Sequence, residues 1–116
     1  MTLKVLYLED HEFFSVDIIE YIKETDNMLF YAKTYAEAEK LIEEHKNFDV
    51  SIIDVILQNG KTGIHFVTKH EGNLGEIMFL TGCIDQPTLD KLSKWRVASK
   101  REIIWEKIDK LFEAAE

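Results

Sequence analysis

The sequence predicts an α/β fold, a five-stranded parallel sheet flanked by five helices with strand order 2-1-3-4-5. Three observations predict it. The apolar pattern changes period repeatedly, with short strand-like runs alternating with stretches spaced for helices. Five such strand–helix pairs follow one another within 116 residues, which implies a parallel sheet covered on both faces. Right-handed crossovers leave few topologies, and 2-1-3-4-5 is the doubly wound order suited to this length. No linker, internal repeat or low-complexity stretch interrupts the pattern, so residues 1–116 are expected to form one domain.

The first strand is Lys4–Leu8, an apolar run that ends abruptly in Glu9-Asp10. Phe14, Ile18, Ile19 and Ile22 then recur at helical spacing until Thr25-Asp26-Asn27. Met28–Ala32 reads as the second strand. Ala38, Leu41 and Ile42 mark an amphipathic helix from about Tyr35 to Glu44, and the charges of Glu37–Lys46 form its solvated face. Val50–Asp54 is a buried strand with an acid at its carboxyl end. Residues 59–63 form a loop, and Ile64, Phe66 and Val67 seat the third helix. Ile77–Leu80 is the fourth strand, closing on Thr81-Gly82. A short helix near Gln86–Ser93 leads to a brief strand at Arg96–Ala98. The last helix carries its apolar stripe at Ile104, Ile108, Leu111 and Phe112.

Charge narrows the function classes. Lys plus Arg total 14 against 22 for Asp plus Glu, a net charge of −8, which argues against a nucleic-acid or anionic-lipid surface. One cysteine, Cys83, excludes an internal disulfide and a multi-cysteine zinc site. The first residues lack the shape of a signal peptide, and no run approaches the ~18 apolar residues of a membrane span. The expectation is a cytoplasmic protein with no nucleic-acid or membrane partner. His11, His45, His65 and His70 show no metal-ligand spacing and read as surface or cap residues.

In an open parallel sheet the working site lies beyond the carboxyl ends of the strands. There the sequence puts Glu9 and Asp10 after strand one, Asp54 at the end of strand three, Thr81 after strand four and Lys100 after strand five. Each has a bland reading: a solvated loop acid, a turn cap, a β-branched strand residue, an exposed lysine. Their joint placement at one sheet edge favours chemistry. Three carboxylates brought together repel one another unless a cation intervenes. Mg²⁺, held by carboxylates and water, is the hard ion suited to that ligand set. A carboxylate beside such a metal, with a lysine at its flank, suits in-line phosphoryl transfer to an aspartyl-phosphate.

The stretches VLYLED, FDVSIIDVILQNGKTGIHFV and IMFLTG, and more weakly VASKREIIWEKI, resemble the CheY-like receiver domains of two-component response regulators. The resemblance covers essentially the whole chain. It implies that Asp54 is the phosphoacceptor and that Glu9, Asp10, Asp54 and the backbone carbonyl of Ile56 hold Mg²⁺. It also implies that Thr81 is the switch hydroxyl meeting the phosphoryl group and that Lys100 pairs with it. A sensor histidine kinase or histidine phosphotransfer protein is then the phosphodonor, and a homodimer through the helix 4–strand 5–helix 5 face is a further expectation. Trp95, Ile103 and Trp105 are the anchors expected on or near that face. The protein is expected not to be an enzyme beyond slow autodephosphorylation, since Ile56 and Cys83 orient no attacking water.

Three departures stand out. Arg101 follows Lys100 where the family places proline, and a non-proline cis bond costs ~3–4 kcal/mol, so this bond is expected to be trans. Val97 replaces the rotating aromatic of strand five, so the signal is expected in the backbone of residues 82–102. Thr81 and Lys100 are 19 positions apart, which calls for a shortened fourth helix. The alternative is a pseudo-receiver, an interaction module that keeps the fold without using phosphate. A flavodoxin-like carrier needs a glycine- and hydroxyl-rich loop after strand one, where this chain has Glu9-Asp10-His11-Glu12. A haloacid-dehalogenase-type phosphatase needs a second acid at position 56, which is Ile.

Overall fold

The computed structural model describes residues 2–57, 61–82 and 86–116. The elements follow in the order β1 (Lys4–Leu8), α1 (Glu12–Lys23), β2 (Met28–Ala32), α2 (Tyr35–His45), β3 (Val50–Asp54), α3 (Gly63–His70), β4 (Glu76–Thr81), α4 (Gln86–Lys91), β5 (Arg96–Ser99) and α5 (Trp105–Ala115). A single 3₁₀ turn at Glu71–Asn73 follows α3. The strands form one sheet in the order β2-β1-β3-β4-β5, parallel throughout. The fold and its strand order are those the periodicity predicts.

Alternation along each strand sends successive side chains to opposite faces. Leu6, Leu8, Ile53, Ile77 and Phe79 join the core under α2, α3 and α4 with Ala38, Phe66, Val67 and Leu92. Val5, Tyr7, Val50, Ile52, Met78, Leu80 and Ala98 join the core under α1 and α5 with Ile18, Ile22, Ile108, Leu111 and Phe112. Continuing that parity by one step puts Glu9 and Asp54 on the α1–α5 side. Leu8 pairs with Ile53, so the two acids also stand level across the β1–β3 ladder.

Two helix starts follow threonine caps. Thr34 accepts from the Glu37 N–H ahead of α2, and Thr62 accepts from the His65 N–H ahead of α3. α4 is shorter than the predicted span. After Lys91 the chain continues as tight turns, with Leu92, Ser93 and Trp95 N–H donating to carbonyls three residues back. That tightening accommodates the short interval between Thr81 and Lys100. Residues 58–60 and Cys83 lie outside the described residues. No described helix is long and apolar enough to cross a membrane.

Candidate functional site

Gly63 fixes the loop beside Asp54. It opens α3 so close to β3 that a Cβ there would meet the Asp54 carbonyl oxygen at 2.0 Å and Ile53 Cγ2 at 2.7 Å. Its N–H donates to the Val55 carbonyl at 2.8 Å. Glycine is therefore demanded by contact, whatever its backbone angles.

Asp54 is 4% exposed and Glu9 fully buried, with Asp10 half-buried beside them. One ligand atom from each of these three acids lies within 4.8 Å of the others. Asp54 Oδ1 accepts the Ile56 N–H at 3.3 Å, and Glu9 Oε2 accepts the His11 N–H at 3.1 Å. Lys100 Nζ donates to Glu9 Oε2 at 2.9 Å and to Asp54 Oδ2 at 3.0 Å. Glu9 Oε1 is buried with no partner. A buried carboxylate oxygen without a donor is costly, and it leaves Glu9 with a lone pair free to bind a cation.

Burial pushes the Asp54 carboxyl up from 3.8 to about 7, and the adjacent Glu9 carboxylate adds to the rise while Lys100 opposes it. For Lys100, burial alone would lower the pKa, but Glu9 and Asp54 outweigh it and hold the ammonium above the usual lysine value. One lysine thus compensates two buried acids and leaves the site short of positive charge. This donor set fits a hard divalent cation: three carboxylates, one with an unpartnered oxygen.

Every predicted site residue reaches this edge. Asp10, Asp54, Ile56, Thr81 and Lys100 line one shallow cavity of about 260 Å³ with His11, Val55 and Gly82. Thr81 is 5% exposed. Ile56 is 61% exposed and bridges to Thr62, so its side chain forms an apolar rim.

The turn after β5 shows how the chain manages without proline. The Lys100 N–H donates to the Thr81 carbonyl at 2.7 Å. Ser99 N–H donates to Glu102 Oε1 at 2.9 Å, Arg101 N–H to Ser99 Oγ at 3.1 Å, and Lys107 Nζ to Glu102 Oε1 at 2.6 Å. No peptide bond among the described residues is cis, as expected for Lys100–Arg101. A Ser99–Glu102–Lys107 network pins the turn instead, a role no local sequence pattern announces.

The anchors expected on the helix 4–strand 5–helix 5 face divide: Ile103 is 84% exposed, while the two tryptophans pack on neighbouring rings. Trp105 stacks on Tyr21 of α1 at 4.7 Å, and Ile103 borders a groove with Phe14, Asp17 and Ile18. Trp105 meets α1 because the helical repeat puts position 105 on the side of α5 that faces that helix. Trp95 packs edge-on against Phe79 and donates to Glu71, at the amino end of the sheet. The histidines fit the surface or cap reading: His11 caps α1, His65 is exposed, and His45 and His70 are half-buried. His65 Nδ1 pairs with Tyr35 Oη at 2.9 Å, and His70 Nε2 with Glu39 Oε2 at 2.7 Å.

Solved structures align along nearly the whole chain. The CheY4 chemotaxis protein of Vibrio cholerae matches with a TM-score of 0.79 at 18% identity, covering 100% of each chain. The chain has the fold of CheY-like receiver domains. A CheY-like receiver domain protein of Methanospirillum hungatei matches with a TM-score of 0.84 at 14% identity, over 99% of this chain and 94% of that one. The BeF3-activated N-terminal receiver domain of Klebsiella pneumoniae RstA matches with a TM-score of 0.80 at 20% identity, over 97% and 98%. No protein-family model and no curated protein matches the sequence. The receiver fold therefore rests on three-dimensional likeness and on the residues at its carboxyl edge.

Proposed function

We propose that this chain is a phosphorylation-controlled receiver acting in the cytoplasm, with Asp54 as phosphoacceptor and a phosphohistidine of a sensor kinase or phosphotransfer protein as donor. The observation that carries the reading is the convergence of Glu9, Asp10 and Asp54 within 4.8 Å around an unpartnered buried oxygen, with Lys100 bridging two of them. Glu9, Asp10, Asp54 and the Ile56 carbonyl would hold Mg²⁺, which neutralises charge that develops on the phosphoryl oxygens.

Asp54 Oδ attacks phosphorus in line with the bond to the donor. As the new O–P bond forms, the donor bond breaks and the leaving group keeps its electron pair. Lys100, already 3.0 Å from Asp54 Oδ2, meets the added negative charge, and the Thr81 hydroxyl at the same cavity donates to a phosphoryl oxygen. Ile56 covers one side of the product with hydrocarbon, which supports slow hydrolysis and a signalling role in place of turnover. A pseudo-receiver would have no use for a three-acid cluster, two of its acids buried, with its own lysine counter-ion, which costs desolvation energy.

Acetyl phosphate supplies the test. Intact mass should show one phosphoryl group on the wild type, lost with EDTA and lost in Asp54→Asn. Unlabelled wild type in Mg²⁺, or undiminished label in either control, overturns the reading.

A further inference from the structure

The Lys100 ammonium has three N–H donors, and two are spent on Glu9 Oε2 and Asp54 Oδ2. On the side of α1 it meets an aromatic ring. Nζ lies 5.0 Å from the centroid of the Phe14 ring, within the range where a ring face attracts a cation. Phe14 sits in the first turns of α1, one turn before the buried Ile18, and is itself half-buried against the α1–α5 core. Phe14 and Lys100 also line the same groove, of about 220 Å³, together with Asp17, Glu102, Ile103 and Trp105. The lysine is 17% exposed along its side chain, so the attraction acts in a partly desolvated place, where it is strongest.

A lysine side chain has four flexible torsions and loses roughly 2 kcal/mol of rotamer freedom when fixed. The chain has Arg101 after this lysine, and the Ser99–Glu102 hydrogen bonds restrain the backbone of the turn but not the side chain beyond it. Two carboxylates pull Nζ inward, yet these are the groups whose charge changes when a cation or a phosphoryl group arrives. The Phe14 ring carries no ionisable group, so its attraction for the ammonium does not change with that charge.

We propose that Phe14 is a positioning residue that holds the Lys100 ammonium over the acid pocket through its ring face. The proposal rests on Asp54 being the phosphoacceptor. When the Asp54–phosphorus bond forms and the donor bond breaks, the charge on the Asp54 carboxylate changes, and Lys100 must stay in place to meet the phosphoryl oxygens. Lys100 itself gives up no atom in the step.

Two readouts test it in the full chain. In the unlabelled protein, proton NMR should find the Lys100 ε-methylene signals displaced upfield by the ring current of Phe14. Phe14→Leu should return them to ordinary lysine positions and slow labelling by acetyl phosphate in Mg²⁺ about fivefold, the worth of one partly desolvated cation–π contact. Phe14→Tyr should keep both the displacement and the rate. Phe14→Met conserves volume without a π face and replaces the leucine variant if that one does not fold. A Phe14→Leu rate within about twofold of wild type, or an equal loss in Phe14→Tyr, overturns the proposal. Wild-type protein that takes no label overturns the phosphoacceptor reading instead, and the ring-current displacement, measured without label, then still decides whether Phe14 holds the lysine.

Discussion

Asp54→Asn removes a buried negative charge while keeping the shape of the side chain. In the metal-free protein the Asp54 carboxyl ionises near 7 and not at 3.8, chiefly because it is buried and secondarily because Glu9 is beside it. The ionised form is therefore penalised by roughly 4 kcal/mol, and the opposing attraction of Lys100 is already included. The sign follows from proton binding. Between pH 3.8 and about 7 the folded protein holds a proton that the unfolded chain has released, so stability falls as pH rises through this window and stays low above it. Asparagine has no such dependence, and its amide can donate to the neighbouring Glu9 carboxylate. In EDTA, Asp54→Asn should be more stable than wild type by ~2–4 kcal/mol at pH 8, and the gap should narrow by roughly 1–1.5 kcal/mol at pH 6. Both conditions lie above the pI near 5.0. Urea unfolding followed by tryptophan fluorescence measures the difference. A variant less stable than wild type at pH 8, or a gap that ignores pH, would refute the reasoning.

The remaining predictions each use one local feature. Gly63→Ala forces a methyl into the Asp54 carbonyl and should cost about 2–3 kcal/mol in urea unfolding; an unchanged midpoint contradicts the contact. Ile56→Asn replaces the apolar rim of the cavity with a group that can orient water, and loss of phosphorylated mass should be faster than in wild type; an equal or slower rate counts against the rim's protective role. With beryllofluoride and Mg²⁺, the amides of residues 86–102 should shift while Val97, stiff and half-buried, keeps its rotamer. Silence across that segment points to a fold kept without its switch.

The strands were legible nearly to the residue because their runs are short, apolar and bounded by polar clusters. β1, β2 and β3 begin and end where the pattern puts them. The α5 stripe was equally plain, and Ile104, Ile108, Leu111 and Phe112 are all buried. Glu9, Asp10, Asp54, Thr81 and Lys100 meet because a parallel sheet brings its strand ends to one edge. Side-chain direction at helix starts was not legible. Phe14 fits the Ile18–Ile22 stripe at i−4 and reads as core, yet its first-turn position puts it against Lys100. Trp105 reads as an outer anchor until α1 supplies Tyr21. The Ser99–Glu102–Lys107 pin joins residues whose types are ordinary for a turn, so only their geometry reveals it. The unpartnered Glu9 Oε1 likewise depends on which donors fail to reach it.

The most direct measurement locates the phosphoryl group. Protein treated with acetyl phosphate and Mg²⁺ is reduced with borohydride, which converts an aspartyl-phosphate to homoserine, and peptides are then mapped by mass. Homoserine should appear at position 54 alone and only when Mg²⁺ was present. An unmodified position 54, or a reduced acid at position 9 or 10 in its place, would contradict the account.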